Sequence, residues 1–231
     1  MPDRRHRREE PKGPRSGPEP VHLSDAIVRE LRATARPGKG EILVKVFGQA
    51  AGAFAADDYD MAVRLGDQSK HMALRAASVR ELLGLAYYHL GRWQEAAREL
   101  AAFRRITGST EQNPVIADCY RAMKKPEKAI ELCDEIVPGE VEPAVYYEGQ
   151  IVAAGALADL GRLDEAIARL ERLDLDPEVA GDHHVRVWYV LADLLERRGR
   201  FTQALEWFDA VTAADAEMTD APERAQRLRR R

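Results

Sequence analysis

The feature that most constrains this chain is a six-residue pattern that recurs along it. Residues 91–96, 161–166 and 199–204 each begin with glycine and arginine, continue with a large apolar residue and end with alanine. Residues 57–62 and 124–129 are degenerate copies of the same pattern. The closing alanines are Ala62, Ala96, Ala129, Ala166 and Ala204, at spacings of 34, 33, 37 and 38 residues. A period near 34 residues is typical of stacked helix-turn-helix units, each of which buries its apolar face against its neighbours.

Further small and aromatic residues stand at fixed distances from these alanines. The two strongest copies contain Leu83, Gly84, Tyr87 and Phe103, and Trp188, Leu191, Ala192 and Phe208. Weaker copies contain Ile116, Ala117 and Tyr120, and Ala153, Ala154 and Leu170. This arrangement resembles the tetratricopeptide repeat over residues 43–218. The resemblance implies an all-α, right-handed solenoid of about five antiparallel helical hairpins.

The small residues have predictable structural roles. Gly91, Gly161 and Gly199 are expected to end the first helix of a hairpin in the left-handed conformation. Pro114 and Pro126 suit the first turn of their helices, where no backbone hydrogen bond is lost. Gly84, Ala117, Ala154 and Ala192 are expected where the two helices of one unit cross most closely, since small side chains let helix axes approach.

Composition and charge predict four segments. Residues 1–20 are rich in proline and charge, which predicts a disordered basic tail. Residues 21–40 are expected to form an N-terminal capping helix, capped by Ser24, and a turn. Residues 41–219 form the repeat array, and residues 220–231 form a C-terminal cap helix or a basic tail. The spacings of 37 and 38 residues predict extended turns near Pro138 and at residues 177–182.

The charge distribution argues against a nucleic-acid-binding fold. The net charge is −4, but residues 1–20 carry +2 and residues 220–231 carry +3, which leaves −9 on residues 21–219. A nucleic-acid-binding fold concentrates positive charge on a folded face. The absence of an apolar leader and of a membrane-spanning run predicts a soluble cytoplasmic protein. The abundance of alanine and arginine suggests a GC-rich genome, and we expect a bacterial origin.

The sequence offers little chemistry for catalysis. His183 and His184 have no further ligand at metal-binding spacing, so a solvated turn between repeats is favoured over a metal site. Cys119 and Cys133 fall on the two helices of one repeat, where buried, inert thiols are favoured over a redox pair. No serine lies in a nucleophile motif. We therefore expect no cofactor, no metal and no enzymatic activity.

The resemblance implies a protein–protein interaction module that acts as a scaffold or adaptor. In such families a partner peptide or helix lies in the concave groove lined by the first helix of each repeat. The corresponding residues here are Glu81, Leu85, Tyr88, His89, Asp118, Arg121, Ile151, Tyr189, Asp193, Glu196 and Arg197. The lysine–asparagine clamp of chaperone-binding relatives is absent, which argues against that role.

Two other functions remain open at this stage. The first is an RNA- or ribosome-associated factor that engages phosphates through its basic tails. The second is an assembly scaffold that dimerises through an exposed terminal repeat.

Overall fold

The computed structural model of the chain describes residues 19–175, 181–217 and 219–230. Within these residues the fold is all-α, and the only β feature is an isolated bridge between Pro138 and Val141 in the extended α7–α8 connection. The helices are α1 (Asp25–Thr34), α2 (Gly40–Ala55), α3 (Tyr59–Met72), α4 (Ala77–His89), α5 (Trp93–Thr107), α6 (Asn113–Ala122), α7 (Pro126–Asp134), α8 (Pro143–Asp159), α9 (Leu163–Leu170), α10 (Asp182–Arg198), α11 (Phe201–Ala214) and α12 (Ala221–Arg229). The fold is a tetratricopeptide-like solenoid, as predicted. Residues 1–18 of the predicted tail, and most of the turn predicted at residues 177–182, lie outside the described part of the chain.

The chain divides into two compact units between Leu82 and Leu83. In the first unit α1 packs on α2, and α2 packs on α3. The predicted cap of α1 is confirmed, because the Ser24 hydroxyl accepts a hydrogen bond from the Ile27 amide at 3.4 Å. The Glu30 carboxylate of α1 accepts hydrogen bonds from the amides of Ala77 and Ser78 at the start of α4, the second at 3.2 Å. A carboxylate at this position satisfies free amides and complements the helix dipole.

The second unit continues from the end of α4 to α12. From α5 onward consecutive helices pack against each other, and α8 also packs against α6 and α10. Each second-unit hairpin thus contacts its neighbours, which is how a repeat array buries a continuous core. The largest fully buried side chains in its C-terminal half include Trp188 and Phe208, which the repeat pattern placed inside.

The turns inside the hairpins confirm the predicted glycine role. Gly91, Gly161 and Gly199 have φ angles of 69°, 76° and 87°, in the left-handed region. The degenerate copies place Asp57 and Lys124 at the same position, with φ angles of 57° and 61°. The repeat geometry therefore imposes a left-handed residue even where the sequence lacks glycine, at some conformational cost.

The small residues predicted at the close helix crossings are buried, and Gly84 lies against its paired helix. Ala117, Ala154 and Ala192 are fully buried. A methyl group added at Gly84 would overlap the side chain of Leu100 on α5. Larger side chains at these positions would push the paired helices apart.

The last helix covers the end of the array. Helix α12 packs on α11, and its Ala221, Ala225 and Leu228 join the core built by α8 to α11. The apolar face of the final hairpin is therefore covered by the chain itself.

The histidine pair differs from its prediction. Instead of a solvated turn, His183 and His184 occupy the first turn of α10 and are partly buried. The His184 Nδ1 accepts a hydrogen bond from the Gly181 amide at 2.9 Å, so the imidazole caps the helix. Both rings also pack on Tyr147, with centroids 4.7 and 4.8 Å away. Capping and aromatic packing together reduce the solvent exposure of the two imidazole rings.

Candidate partner-binding face

The structure places the predicted groove residues on the first helices of the hairpins. Glu81, Leu85, Tyr88 and His89 lie on α4, Asp118 and Arg121 on α6, Ile151 on α8, and Tyr189, Asp193, Glu196 and Arg197 on α10. Glu81 belongs to the first unit and the others belong to the second. Within the second unit they separate into two groups with different surroundings.

The first group forms a hydrogen-bonded chain across α4, α6 and α8. The Tyr88 hydroxyl donates to Asp118 Oδ2 at 2.8 Å. Arg121 donates to Asp118 Oδ1 at 3.2 Å and to Asp159 Oδ2 of α8 at 3.0 Å. The guanidinium lies against Gly155, where any added Cβ would collide with it. These contacts fix the orientations of a tyrosine, two carboxylates and an arginine on one face.

A cleft between α8 and α10 extends this face. It has a volume of about 300 Å³ and is lined by Ala144, Glu148, Ile151, His183 and Arg186. Glu148 and Arg186 form an ion pair at 2.9 Å across the cleft. The cleft thus combines an apolar side chain from the predicted set with a charged pair.

The side chains of this face shift one another's pKa values. Burial raises the pKa of Glu148, Arg186 lowers it, and the negative charge of Asp118 raises it further, with a net upward shift. Burial, followed by the hydrogen bond to Asp118, raises the pKa of Tyr88. Tyr88 therefore remains a neutral donor at physiological pH.

The second group surrounds an arginine from α12. The Arg224 guanidinium donates to Glu196 Oε2 at 2.7 Å, to Asp193 Oδ1 at 2.8 Å and to the Tyr189 hydroxyl at 3.3 Å. It also lies 4.4 Å from the ring centroid of Phe208. Burial lowers the pKa of Arg224, but the hydrogen bonds to Asp193 and Glu196 outweigh this and raise it. The α10 part of the predicted groove is thus contacted by the chain's own last helix.

The remaining predicted residues lie beside these groups. His89 is exposed and its ring is 6.0 Å from that of Tyr88. Leu85 is half-buried on α4. Arg197 is exposed and forms an ion pair with Asp193 at 3.6 Å.

Sequence reasoning missed the ionic partners Glu148, Asp159, Arg186 and Arg224. A signal for two of the contacts was present, because Glu148 and Arg186, and Arg121 and Asp159, are each separated by 38 residues. This spacing equals the local repeat interval for Glu148 and Arg186 and exceeds it by one residue for Arg121 and Asp159, so opposite charges about one period apart mark contacts between successive first helices.

Cys119 and Cys133 are buried, and burial raises the pKa of each thiol to about 12. Within the described ranges no group of three or more histidine, cysteine or acidic side chains is placed to hold a metal ion.

Among the helices of the described residues, none is long and apolar enough to cross a membrane.

Comparisons with known proteins agree with this architecture. A family model described as tetratricopeptide repeat matches residues 157–231. The solved structure of PilW, described as a type IV pilus biogenesis factor, shares 14% identity with a TM-score of 0.66 and covers 82% of this chain and 86% of its own. A tetratricopeptide-repeat protein of Thermus thermophilus, TTC0263, shares 18% identity with a TM-score of 0.58, covering 82% and 100%. YrrB, described as a tetratricopeptide-repeat protein with an unusual peptide-binding site, shares 16% identity with a TM-score of 0.56, covering 82% and 92%. No curated protein sequence matches the chain.

Proposed function

Since the chain carries tetratricopeptide repeats, by sequence over residues 157–231 and by fold more widely, we propose that it is a non-catalytic adaptor that binds a peptide or helix of a partner protein. The fold itself supports a protein–protein interaction module. We further propose that the partner binds the face formed by Tyr88, Asp118, Arg121, Glu148 and Ile151.

The observation that supports this proposal most directly is the fixed orientation of polar side chains beside an accessible cleft. The hydrogen bonds of Tyr88 and Arg121 to Asp118 hold these groups in place before a partner arrives. Preorganised side chains lose less conformational entropy on binding than mobile ones. The cleft beside Ile151 offers room for one side chain of the partner. YrrB, a protein of similar fold, is described as having a peptide-binding site, which is compatible with this mode.

Charge pairing argues against the alternative of RNA binding through the C-terminal segment. Arg224 and Arg227 form ion pairs with Glu196, and Arg229 forms one with Asp209. Cations already neutralised within the chain release few counterions from nucleic acid, so they add little affinity. Dimerisation through the terminal repeat also loses support, because α12 covers the apolar face of the last hairpin.

The test is affinity capture of a partner from the native lysate, followed by calorimetric titration of the purified partner. Tyr88→Ala is expected to weaken binding by about 2 kcal/mol, since aromatic anchors dominate such interfaces. Tyr146→Ala, on the same array but lining a different cleft with Arg172 and Leu173, is the matched control and should change affinity little.

Removal of residues 1–18 distinguishes binding through the proposed face from binding through the N-terminal tail. If the face binds the partner, this deletion leaves affinity nearly unchanged. Loss of affinity on deletion, together with a steep decline with salt, would show that the tail binds instead.

A further inference from the structure

Most of the described cationic side chains of the second unit are in ion pairs, with a local exception around α5 to α7. Arg105, Lys124 and Lys125 form no ion pair with any described residue, and Lys128 lies over the Tyr120 ring at 5.1 Å instead. Arg98 is paired only with the buried Glu99, at 3.4 Å, and its side chain is 67% exposed. In contrast, most arginines from α8 to α12 are in ion pairs, for example Arg162, Arg169, Arg186, Arg198, Arg200 and Arg224.

Three of these cations line a single cleft. The cleft has a volume of about 360 Å³ and includes Arg98, Arg105 and Lys125. Its other lining residues are Gln94, Ala97, Ala101, Tyr120 and Met123, so no described acidic side chain lines it. A cleft that combines apolar side chains with three cations, of which only Arg98 has an ion-pair partner, is suited to a ligand that carries both apolar and anionic groups.

The spacing of the cations limits the shape of that ligand. Arg98 and Arg105 are two turns apart on α5, which corresponds to about 10 Å along the helix axis. A peptide in the polyproline II conformation advances about 3.1 Å per residue with about three residues per turn, so acidic side chains three positions apart lie on one face and match this distance. The residues between them would lie to either side of this face, beside the methyl groups of Ala97 and Ala101 and the side chain of Met123.

We propose that this cleft is a second binding site, which takes a short acidic peptide segment with apolar residues between its acidic side chains. The site is built mainly on α5, the second helix of its hairpin, whereas the face proposed above lies on the first helices. A peptide fits better than nucleic acid because the rest of the array is acidic: residues 21–219 carry a net charge of −9. That charge repels a long polyanion, whereas a short segment contacts only the cations of the cleft.

The test is a fluorescence anisotropy titration of the full chain with a labelled peptide whose core is glutamate, two leucines and glutamate. We expect saturable binding that falls by at least about tenfold in the double variant Arg105→Glu with Lys125→Glu, since charge-assisted hydrogen bonds have this strength. A peptide with glutamine in place of glutamate should bind at least about tenfold more weakly for the same reason. A phosphoserine version of the peptide, with the same spacing, distinguishes phosphoryl from carboxylate groups as the preferred anion.

The matched control is Arg172→Glu, because Arg172 is also exposed and without an ion pair among the described residues, but lies outside this cleft. It should change affinity by less than about twofold, consistent with a screened, distant charge. Circular dichroism checks that each variant keeps its helices. No saturable binding to either peptide, an equal loss in the control, or tighter binding of an oligouridylate than of the peptide would each overturn the proposal.

Discussion

Replacement of Arg224 by methionine tests how the last helix is held on the array. The side chain of Arg224 is only 12% exposed, and it bonds to Glu196, which is 14% exposed, and to Asp193, which is 34% exposed. Methionine keeps the aliphatic length but leaves both carboxylates without this donor. Removal of one partner from a fully buried ion pair costs about 3–5 kcal/mol. Since this cluster is only partly buried, we expect a loss of about 2–3 kcal/mol.

Arg227→Met is the matched control. Arg227 lies on the same helix and contacts the same Glu196 at 3.3 Å, but its side chain is 58% exposed. Exposed ion pairs contribute about 0–1 kcal/mol, so this variant should lose less than about 1 kcal/mol. The comparison holds the helix, the Glu196 carboxylate and the substitution constant, and it changes the burial of the arginine together with the contacts that burial brings to Asp193, Tyr189 and Phe208.

Urea denaturation followed by circular dichroism measures both losses, and hydrogen exchange locates them. In a repeat array a weakened terminal helix unfolds before the rest, so faster exchange of the α12 amides in Arg224→Met is expected. Equal losses in the two variants, or a larger loss in Arg227→Met, would refute the view that burial of Arg224 secures this helix.

Three other perturbations test the turns, the thiols and the helix crossings. Gly161→Ala should destabilise the chain by about 1 kcal/mol in a denaturant titration, because the left-handed φ is unfavourable while the added Cβ meets nothing within 4 Å; an unchanged midpoint would contradict this. Cys119 and Cys133 should resist an aromatic disulfide reagent at neutral pH until the chain unfolds, since burial raises each pKa from 9.0 to about 12. Because the thiols stay neutral in the folded state, their contribution to stability is complete below pH 9 and declines as the pH rises towards 12, which a pH series of melts would reveal. Ala204→Trp should lower the melting temperature more than Ala62→Trp, because Ala204 belongs to the copy that matches the repeat best; equal losses would place the closest crossing elsewhere.

The sequence by itself determined the repeating architecture. Helix period, small crossing residues and turn glycines are local signals, because each hairpin is built mainly from residues within one period of one another. For this reason the left-handed turn at Gly91, the proline at the start of α6 and the buried thiol of Cys119 were all predicted from sequence. The same regularity explains why Lys124 adopts a left-handed conformation that its side chain disfavours.

Only the tertiary structure decided which polar side chains meet. The contact of Glu30 with the start of α4 joins residues 47 positions apart, and the contact of Arg224 with Asp193 joins residues 31 positions apart. Such pairs depend on how far each helix is rotated about its own axis and against its neighbour. Apolar periodicity specifies which face of a helix is buried, but leaves the rotamers and partners of long side chains at its edges undetermined. The partial burial of His183 likewise arises from packing on Tyr147, a residue of the preceding hairpin. The candidate binding face is made of such edge residues, which is why the repeat pattern located its helices but not its contacts.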